Sequence, residues 1–288
     1  MKLKQSFALW ILLFLLLNSN LFANDYAPPL VPLGEPISKL DGLETFLPQI
    51  RHLNSDHLDK ICSEITRNPR QTELRPPDRH HTFLLGPPPS NMDELLGLLP
   101  KGKKVAVINL IHSEDPPSTF GSQYNSSIGV PYVRPNYIPQ ELKNYLTLQD
   151  FRTQDKRNIF FIHLKNWKDQ KAFESPRLLL ILMYYLQKNE LLPSHEEFYR
   201  EDTEKEPYQT YIHCLAGLGR TGTFVIAFEI FLKIQKEKMQ GRDPKKLQPN
   251  ITAMINNLRQ KRPGSVATKD QVRFLVNFAV YAAESYSR

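Results

Sequence analysis

The residues best suited to chemistry form one run, His213-Cys214-Leu215-Ala216-Gly217-Leu218-Gly219-Arg220-Thr221-Gly222-Thr223. A strand-like stretch from Tyr208 to Ile212 leads into it, and an apolar helical stretch from about Arg220 to Lys238 leads out. A strand-to-helix turn aims several backbone N–H groups at one point, and the helix N-terminus adds positive potential there. Gly217 and Gly219 allow a tight path and the close approach of an anion. Arg220, six positions after Cys214, can return to clamp a phosphate through two parallel hydrogen bonds. A cysteine at the base of such a cradle is favoured as the thiolate, and so becomes a nucleophile at neutral pH. A lone cysteine ordinarily reads as a small buried hydrophobe. Here a glycine-rich turn and an arginine fall in register beside it, which favours the chemical reading.

The run resembles the signature of the cysteine-dependent phosphatases: His-Cys, five residues, Arg, then Ser or Thr. Its match is close to the tyrosine-specific branch, whose turn typically reads HCSAG, a variable residue, then GRTGTF. Two more segments resemble the same family. Asn166-Trp167-Lys168-Asp169-Gln170-Lys171-Ala172-Phe173-Glu174-Ser175-Pro176 looks like the mobile Trp-Pro-Asp loop that carries the general acid, with Lys168 in place of the proline and Lys171 in place of a glycine. The bland reading of that loop is a surface turn with a solvated Asp169. The stretch from Leu258 to Phe274 resembles the glutamine motif through Arg259, Arg262, Gly264, Val266, Gln271 and Phe274. Thr268 and Gln271 also have the spacing of a helix capping box, and both readings can hold together.

The resemblance implies roles. Cys214 attacks phosphorus, and the phosphate loop Leu215, Ala216, Gly217, Leu218, Gly219 and Arg220 binds the phosphate oxygens. Asp169 protonates the leaving group, Gln271 places the hydrolytic water, Thr221 assists thiolate departure and His213 orients the loop. No metal and no organic cofactor is implied. The substrate class is phosphotyrosine in proteins, hydrolysed by an enzyme of the phosphoric monoester hydrolase type. A phytase-like inositol polyphosphate or phosphoinositide phosphatase is the alternative, and a non-catalytic phosphate-binding module a further one. Leu215 and Leu218 are apolar where enzymes for very anionic substrates often carry polar groups. The resemblance covers residues 157 to 275 well and weakens upstream. Thr66-Arg67-Asn68-Pro69-Arg70 lacks the tyrosine of the family's Asn-Arg-Tyr loop, and Arg75-Pro76-Pro77-Asp78-Arg79 echoes only the stretch just downstream of that loop. Glu114 is a candidate supporting acid or a structural ion pair.

Elements must hold these residues together. Lys104 to Ile111 and Asn158 to Leu164 read as buried strands, short and β-branched. Ser175 suits an N-cap and Pro176 the first position of the next helix. Ile251 to Lys261 and Lys269 to Ser287 read as two final helices, and 193 to 207 as a charged loop. Strands alternating with helices give an α/β fold, a central mixed sheet flanked by helices with the phosphate loop at a strand–helix junction. Residues 41 to 66 carry weak helical signals. Residues 67 to 90, rich in proline and glycine, read as irregular, so the catalytic domain is placed at 91–288 after an N-terminal extension at 24–90.

Composition narrows the class. The 288 residues are 41% hydrophobic and 23% charged, the balance of an ordinary globular chain. Two cysteines cannot build a disulfide scaffold or a four-cysteine zinc site. Cys62 reads as buried and inert; in an oxidising compartment it could pair with Cys214 and silence it. Lys2 and Lys4 precede an apolar run from Phe7 to Leu17, shorter than the roughly 20 residues of a membrane span. Leu21-Phe22-Ala23 then offers a cleavage site, so residues 1–23 read as a signal peptide of a bacterial exported protein, periplasmic or secreted, with no stable membrane insertion after cleavage. Without the two lysines the formal charge falls from +7 to +5. That mildly favours anionic ligands. The clusters Lys101-Lys103-Lys104 and Arg79-His80-His81 lack the aromatic interleaving of a single-strand groove, so no nucleic acid is expected.

Overall fold

The computed structural model describes residues 72–74, 82–99, 104–112, 115, 138–152, 158–199 and 209–287. Residues 1–71, with Cys62 and the expected signal peptide and weak helices, lie outside the described residues, as do Arg75–Arg79, the two histidines after it, Lys101, Lys103 and Glu114.

Among the described residues six strands form one sheet. In chain order they are β1 (Thr72–Leu74), β2 (Thr82–Gly86), β3 (Lys104–Asn109), β4 (Leu146–Arg152), β5 (Asn158–Leu164) and β6 (Gln209–His213), and they lie side by side as β1-β2-β6-β3-β5-β4. The four inner strands are parallel, and β1 and β4 close the edges antiparallel. Among the described residues six α-helices accompany them: α1 (Met92–Leu98), α2 (Pro176–Lys188), α3 (His195–Tyr199), α4 (Gly219–Met239), α5 (Ile251–Lys261) and α6 (Lys269–Ser287).

The inner strands are apolar on both faces because both faces are covered. Along β3, Val105 and Val107 join the smaller core with Leu95 and Leu99 of the α1 region. Ala106 and Ile108 join the larger core on the other face. Along β5, Ile159 and Phe161 alternate in the same way with Phe160, Ile162 and Leu164. The larger core is built from α2, α4, α5 and α6. Its centre is α4, buried from Arg220 through Ile234 except for Glu229 and Lys233. A helix apolar almost all round belongs inside.

β3, β5 and β6 run parallel, so their C-terminal ends share one edge of the sheet. In open α/β sheets that edge is where ligands bind. The turn with Asp115 comes after β3, the segment with Asp169 after β5, and Cys214 after β6.

Several expectations are met: β5, α5 and α6 have the expected bounds, and β3, β6 and α4 are displaced by at most two residues at any end. Three are corrected. The stretch expected to be irregular contains β1 and β2, and β2 pairs with β6 along its length, so the sheet takes in residues upstream of 91. Short strands hidden among prolines give no long periodic signal; their partners, far along the chain, supply the hydrogen bonds. The charged stretch after Pro193 holds the short helix α3, with Phe198 buried against Phe83 and Phe228. Ser175 stands at the N-cap position in extended conformation, yet its side chain makes no capping bond.

Candidate active site

Backbone geometry at the end of β6 comes first. The chain leaves His213, turns through Cys214 to Leu218 and enters α4 at Gly219. Gly217 sits at φ 68°, a left-handed conformation that glycine adopts without strain. Contact demands the same residue: a Cβ there would stand 2.0 Å from the Gly86 carbonyl oxygen at the end of β2. Leu218, the N-cap of α4, supplies no side-chain cap. The first N–H groups of the helix are therefore not taken by a capping side chain.

Arg262, on the segment after α5, braces the turn from below. Its guanidinium is buried; Nε donates to the Gly217 carbonyl at 2.7 Å and Nη2 to the Ala216 carbonyl at 3.4 Å. In a trans peptide the C=O and the following N–H point opposite ways. Carbonyls turned toward Arg262 thus turn the N–H groups of Gly217 and Leu218 to the cradle side. Burial lowers the Arg262 pKa, and its electrostatic interaction with Cys214 and Tyr211 opposes that shift. Arg259 fastens the same segment by donating to the carbonyls of Ser265 at 2.8 Å and Val266 at 2.7 Å. Gly222 lets Ser265 and Val266 close on α4, for a Cβ there would stand 2.9 Å from each.

Cys214 is a free cysteine, 2% exposed. Arg220, on the first turn of α4, has a fully buried side chain. Its Nη1 donates to Asp115 Oδ2 at 2.6 Å and to the Trp167 carbonyl at 2.8 Å. Its Nη2 donates to Asp169 Oδ1 at 2.9 Å. The buried Nε has no hydrogen-bond partner, and neither does the buried Oγ1 of Thr221 next to it. Leaving a buried polar group unpaired costs about 1–3 kcal/mol. Two such groups at one cradle fit a site that takes oxyanions.

Trp167 is fully buried against Phe173, and its Nε1 donates to the Lys171 carbonyl at 2.9 Å. That internal tie holds the 166–175 segment as a compact loop despite the lysine after Trp167. Lys168 and Asp169 are exposed, the Asp169 side chain at 45%. Gln271 is fully buried at the start of α6. Its Oε1 accepts from the N–H groups of Ala267 at 2.8 Å and Thr268 at 3.3 Å, and Thr268 Oγ1 accepts from the Gln271 N–H at 3.3 Å. This is the reciprocal capping box that the spacing allowed. Its Nε2 donates to the Lys171 carbonyl at 3.4 Å and lies beside Gly219, where a Cβ would stand 2.9 Å away.

His213 is buried beneath the turn, its ring 5.5 Å from that of Tyr211. Burial pushes its pKa down to about 3, with His163 and Arg220 adding to the effect. A neutral imidazole cannot act as an acid at physiological pH.

Cys214, Arg220 and Thr221 of one turn are thus assembled with Asp169 and Gln271, from distant parts of the chain, at one edge of the sheet. The carboxylate on Arg220 from the turn after β3 is Asp115, one residue beyond the candidate Glu114. An acidic pair just after a strand signals that turn but does not say which member faces inward. Asp115 is fixed by its own turn, accepting from the His112 N–H at 2.9 Å. Arg262 was legible only as part of a motif, not as the brace of the cradle. Among the described residues no group of carboxylates, histidines and cysteines is arranged to hold a metal, and no helix is long and apolar enough to cross a membrane.

Comparison with known proteins gives the same family. A family model described as protein-tyrosine phosphatase matches residues 121–281, more than half of the chain. Tyrosine-protein phosphatase 2 of Dictyostelium discoideum is 29% identical over 135 residues, which is 46% of this chain and 31% of that protein. Tyrosine-protein phosphatase non-receptor type 2 of Mus musculus is 28% identical over 143 residues, 48% of this chain and 30% of that protein. Tyrosine-protein phosphatase corkscrew of Drosophila melanogaster is 29% identical over 159 residues, 54% and 17% respectively. The chain spans about a third or less of the length of these relatives. A glycine-rich cradle at a strand–helix junction, an arginine fixed on its first helical turn and this match together assign the chain to the protein-tyrosine phosphatase family.

Proposed function

We propose that the protein hydrolyses phosphotyrosine in proteins through a phospho-cysteine intermediate. One observation carries the reading. Asp115 and the Trp167 carbonyl hold Arg220 by Nη1, so its Nε and Nη2 form the edge presented to a phosphate, with the Asp169 carboxyl beside it. Substrate phosphate takes that edge and the N–H groups of residues 215–220, and it releases Asp169 from Nη2. The Cys214 thiolate attacks phosphorus as the bond to the tyrosine oxygen breaks, and protonated Asp169 gives its proton to that oxygen. Arg220 and the loop N–H groups stabilise the charge on the equatorial oxygens. Water, placed by the Gln271 amide, then attacks phosphorus and gives a proton to Asp169. Thr221 donates to the departing thiolate, and inorganic phosphate leaves. His213, neutral and buried, holds the shape of the loop and transfers no proton.

The relatives' names speak of tyrosine-protein phosphatases, and the apolar Leu215 and Leu218 suit an aryl phosphate. The N-terminal pattern of Lys2, Lys4 and Phe7–Leu17 supports export with cleavage after Ala23; mass spectrometry of the mature N-terminus tests it. The activity is tested with Cys214→Ser as control, on a phosphotyrosine peptide and inositol hexakisphosphate side by side. Peptide turnover lost in the variant is the expected result. Turnover of the inositol phosphate alone would move the protein to the inositol phosphatase reading. Binding without turnover on both would make it a phosphate-binding module.

A further inference from the structure

Among the described residues, three other than glycine have a positive φ: Gln170 at 57°, Glu190 at 56° and Val266 at 56°. Gln170 and Glu190 lie in exposed turns. Val266 is fully buried and β-branched. A left-handed conformation is a genuine outlier for a β-branched residue. It persists only where the surroundings over-determine it, and such residues cluster at functional sites.

The groups that hold Val266 are in place around it. Its N–H donates to the Leu218 carbonyl of the phosphate loop at 3.4 Å. Arg259 donates from Nε to the Ser265 carbonyl at 2.8 Å and from Nη2 to the Val266 carbonyl at 2.7 Å. Successive carbonyls of an extended chain point opposite ways, so bringing both to one guanidinium bends the chain at the residue between them. That residue is Val266. Directly after the bend, the N–H groups of Ala267 and Thr268 converge on Gln271 Oε1 at 2.8 and 3.3 Å. A primary amide has one acceptor end and one donor end. With two backbone donors on Oε1, the end left for other partners is Nε2. One of its hydrogens goes to the Lys171 carbonyl at 3.4 Å, and Nε2 stands 2.9 Å from where a Cβ on Gly219 would be. An amide turned this way donates to the oxygen of a water and leaves the water's proton to Asp169.

We propose that Arg259 and Val266 are positioning residues for the hydrolytic step. The left-handed turn at Val266, clamped by Arg259, fixes Gln271 with Oε1 held and Nε2 turned to the phosphate loop. The proposal rests on the phospho-cysteine reading above. Without the clamp Val266 relaxes to a negative φ, the N–H groups of Ala267 and Thr268 swing away, and the amide loses its orientation. Water then attacks the phospho-cysteine more slowly. Formation of that intermediate, which depends on Cys214, Arg220 and Asp169, is untouched.

The experiment follows the full chain on p-nitrophenyl phosphate, by stopped-flow release of p-nitrophenolate and by steady-state kinetics. Here kcat/KM reports the steps up to the phospho-cysteine, and kcat also the step after it. Arg259→Leu is expected to lower kcat and KM together by about tenfold, with kcat/KM within about twofold of wild type and a burst near one product per site. Glycine adopts the left-handed turn without steric cost, so Arg259→Leu/Val266→Gly is expected to regain most of the lost kcat. A merely structural role predicts the reverse, since Val266→Gly removes a second buried contact. A fall of kcat/KM in step with kcat in Arg259→Leu, or no recovery in the double variant, overturns the proposal. If Arg259→Leu does not fold, Arg259→Lys, which keeps the charge but not the fork of donors, is expected to show the same split at about threefold. An unchanged kcat in Arg259→Lys then overturns the proposal. Loss of all aryl phosphate turnover in the wild type would instead overturn the parent reading.

Discussion

Arg220 makes three hydrogen bonds of its own, and their placement divides its guanidinium into a held side and a working edge. Asp115 and Trp167 hold it; Asp169 sits on the edge that the proposed mechanism gives to the substrate phosphate. On the proposed mechanism Asp169 competes with the phosphate for Nη2 and acts on it once displaced. Asp169→Asn is expected to lower kcat by about 10²–10³-fold, while inorganic phosphate binds as tightly as before or more tightly. Steady-state kinetics with phosphate inhibition checks both, and weaker phosphate binding would show that Asp169 helps to build the anion site. Cys214 and Arg220 were legible from their spacing in one turn, and Asp169 from the resemblance of its loop to the Trp-Pro-Asp loop. Asp115 was not, because its role depends on which of two adjacent acids the turn after β3 points inward.

At the scale of elements, the cradle is a joint between three segments. The Gly86 carbonyl of β2 closes it on one side, Arg262 fastens it below, and Gly222 admits the Ser265-Val266 backbone against α4. Gly217 and Gly241 provide a matched pair, since both have φ 68° but only Gly217 meets another atom. Gly241→Ala is expected to cost about 1–2 kcal/mol, the backbone term alone. Gly217→Ala adds a collision with backbone and is expected to lose several kcal/mol more, together with phosphate binding. Urea unfolding of the two variants measures the difference; equal losses would mean that the β2–cradle contact is soft. The amphipathic helices α5 and α6 could be read from periodicity, and α4 with the inner strands β3, β5 and β6 from apolar runs bounded by polar or turn residues. The edge strands β1 and β4 and the short β2 could not, because their order comes from partners far along the chain.

For the whole molecule, the parallel strands put three separate loops at one edge and bury a histidine beneath them. His213 is pushed down to about 3 by burial, against about 6.5 in an unfolded chain. Between those values the unfolded state binds a proton that the folded state refuses. Stability therefore rises with pH across this window, by about 1.4 kcal/mol per unit for this group, and is fully present above about pH 6.5. Chemical denaturation from pH 4 to 7 is expected to show a slope shallower by about one proton in His213→Gln than in the wild type. An unchanged slope would mean that His213 accepts a proton in the folded protein. The α/β class was legible from the alternation of strands and helices, but the order β1-β2-β6-β3-β5-β4 was not, since pairing is a property of the assembled sheet.

Trapping the covalent intermediate tests the proposed chemistry most directly. Wild-type protein is mixed with a phosphotyrosine peptide, quenched in acid within milliseconds and digested for mass spectrometry. One phosphoryl group on the sulfur of Cys214 is expected, absent in Cys214→Ser and accumulating further in Gln271→Ala. Turnover with no phosphoryl group on Cys214, or with one on another residue, would contradict the phospho-cysteine route.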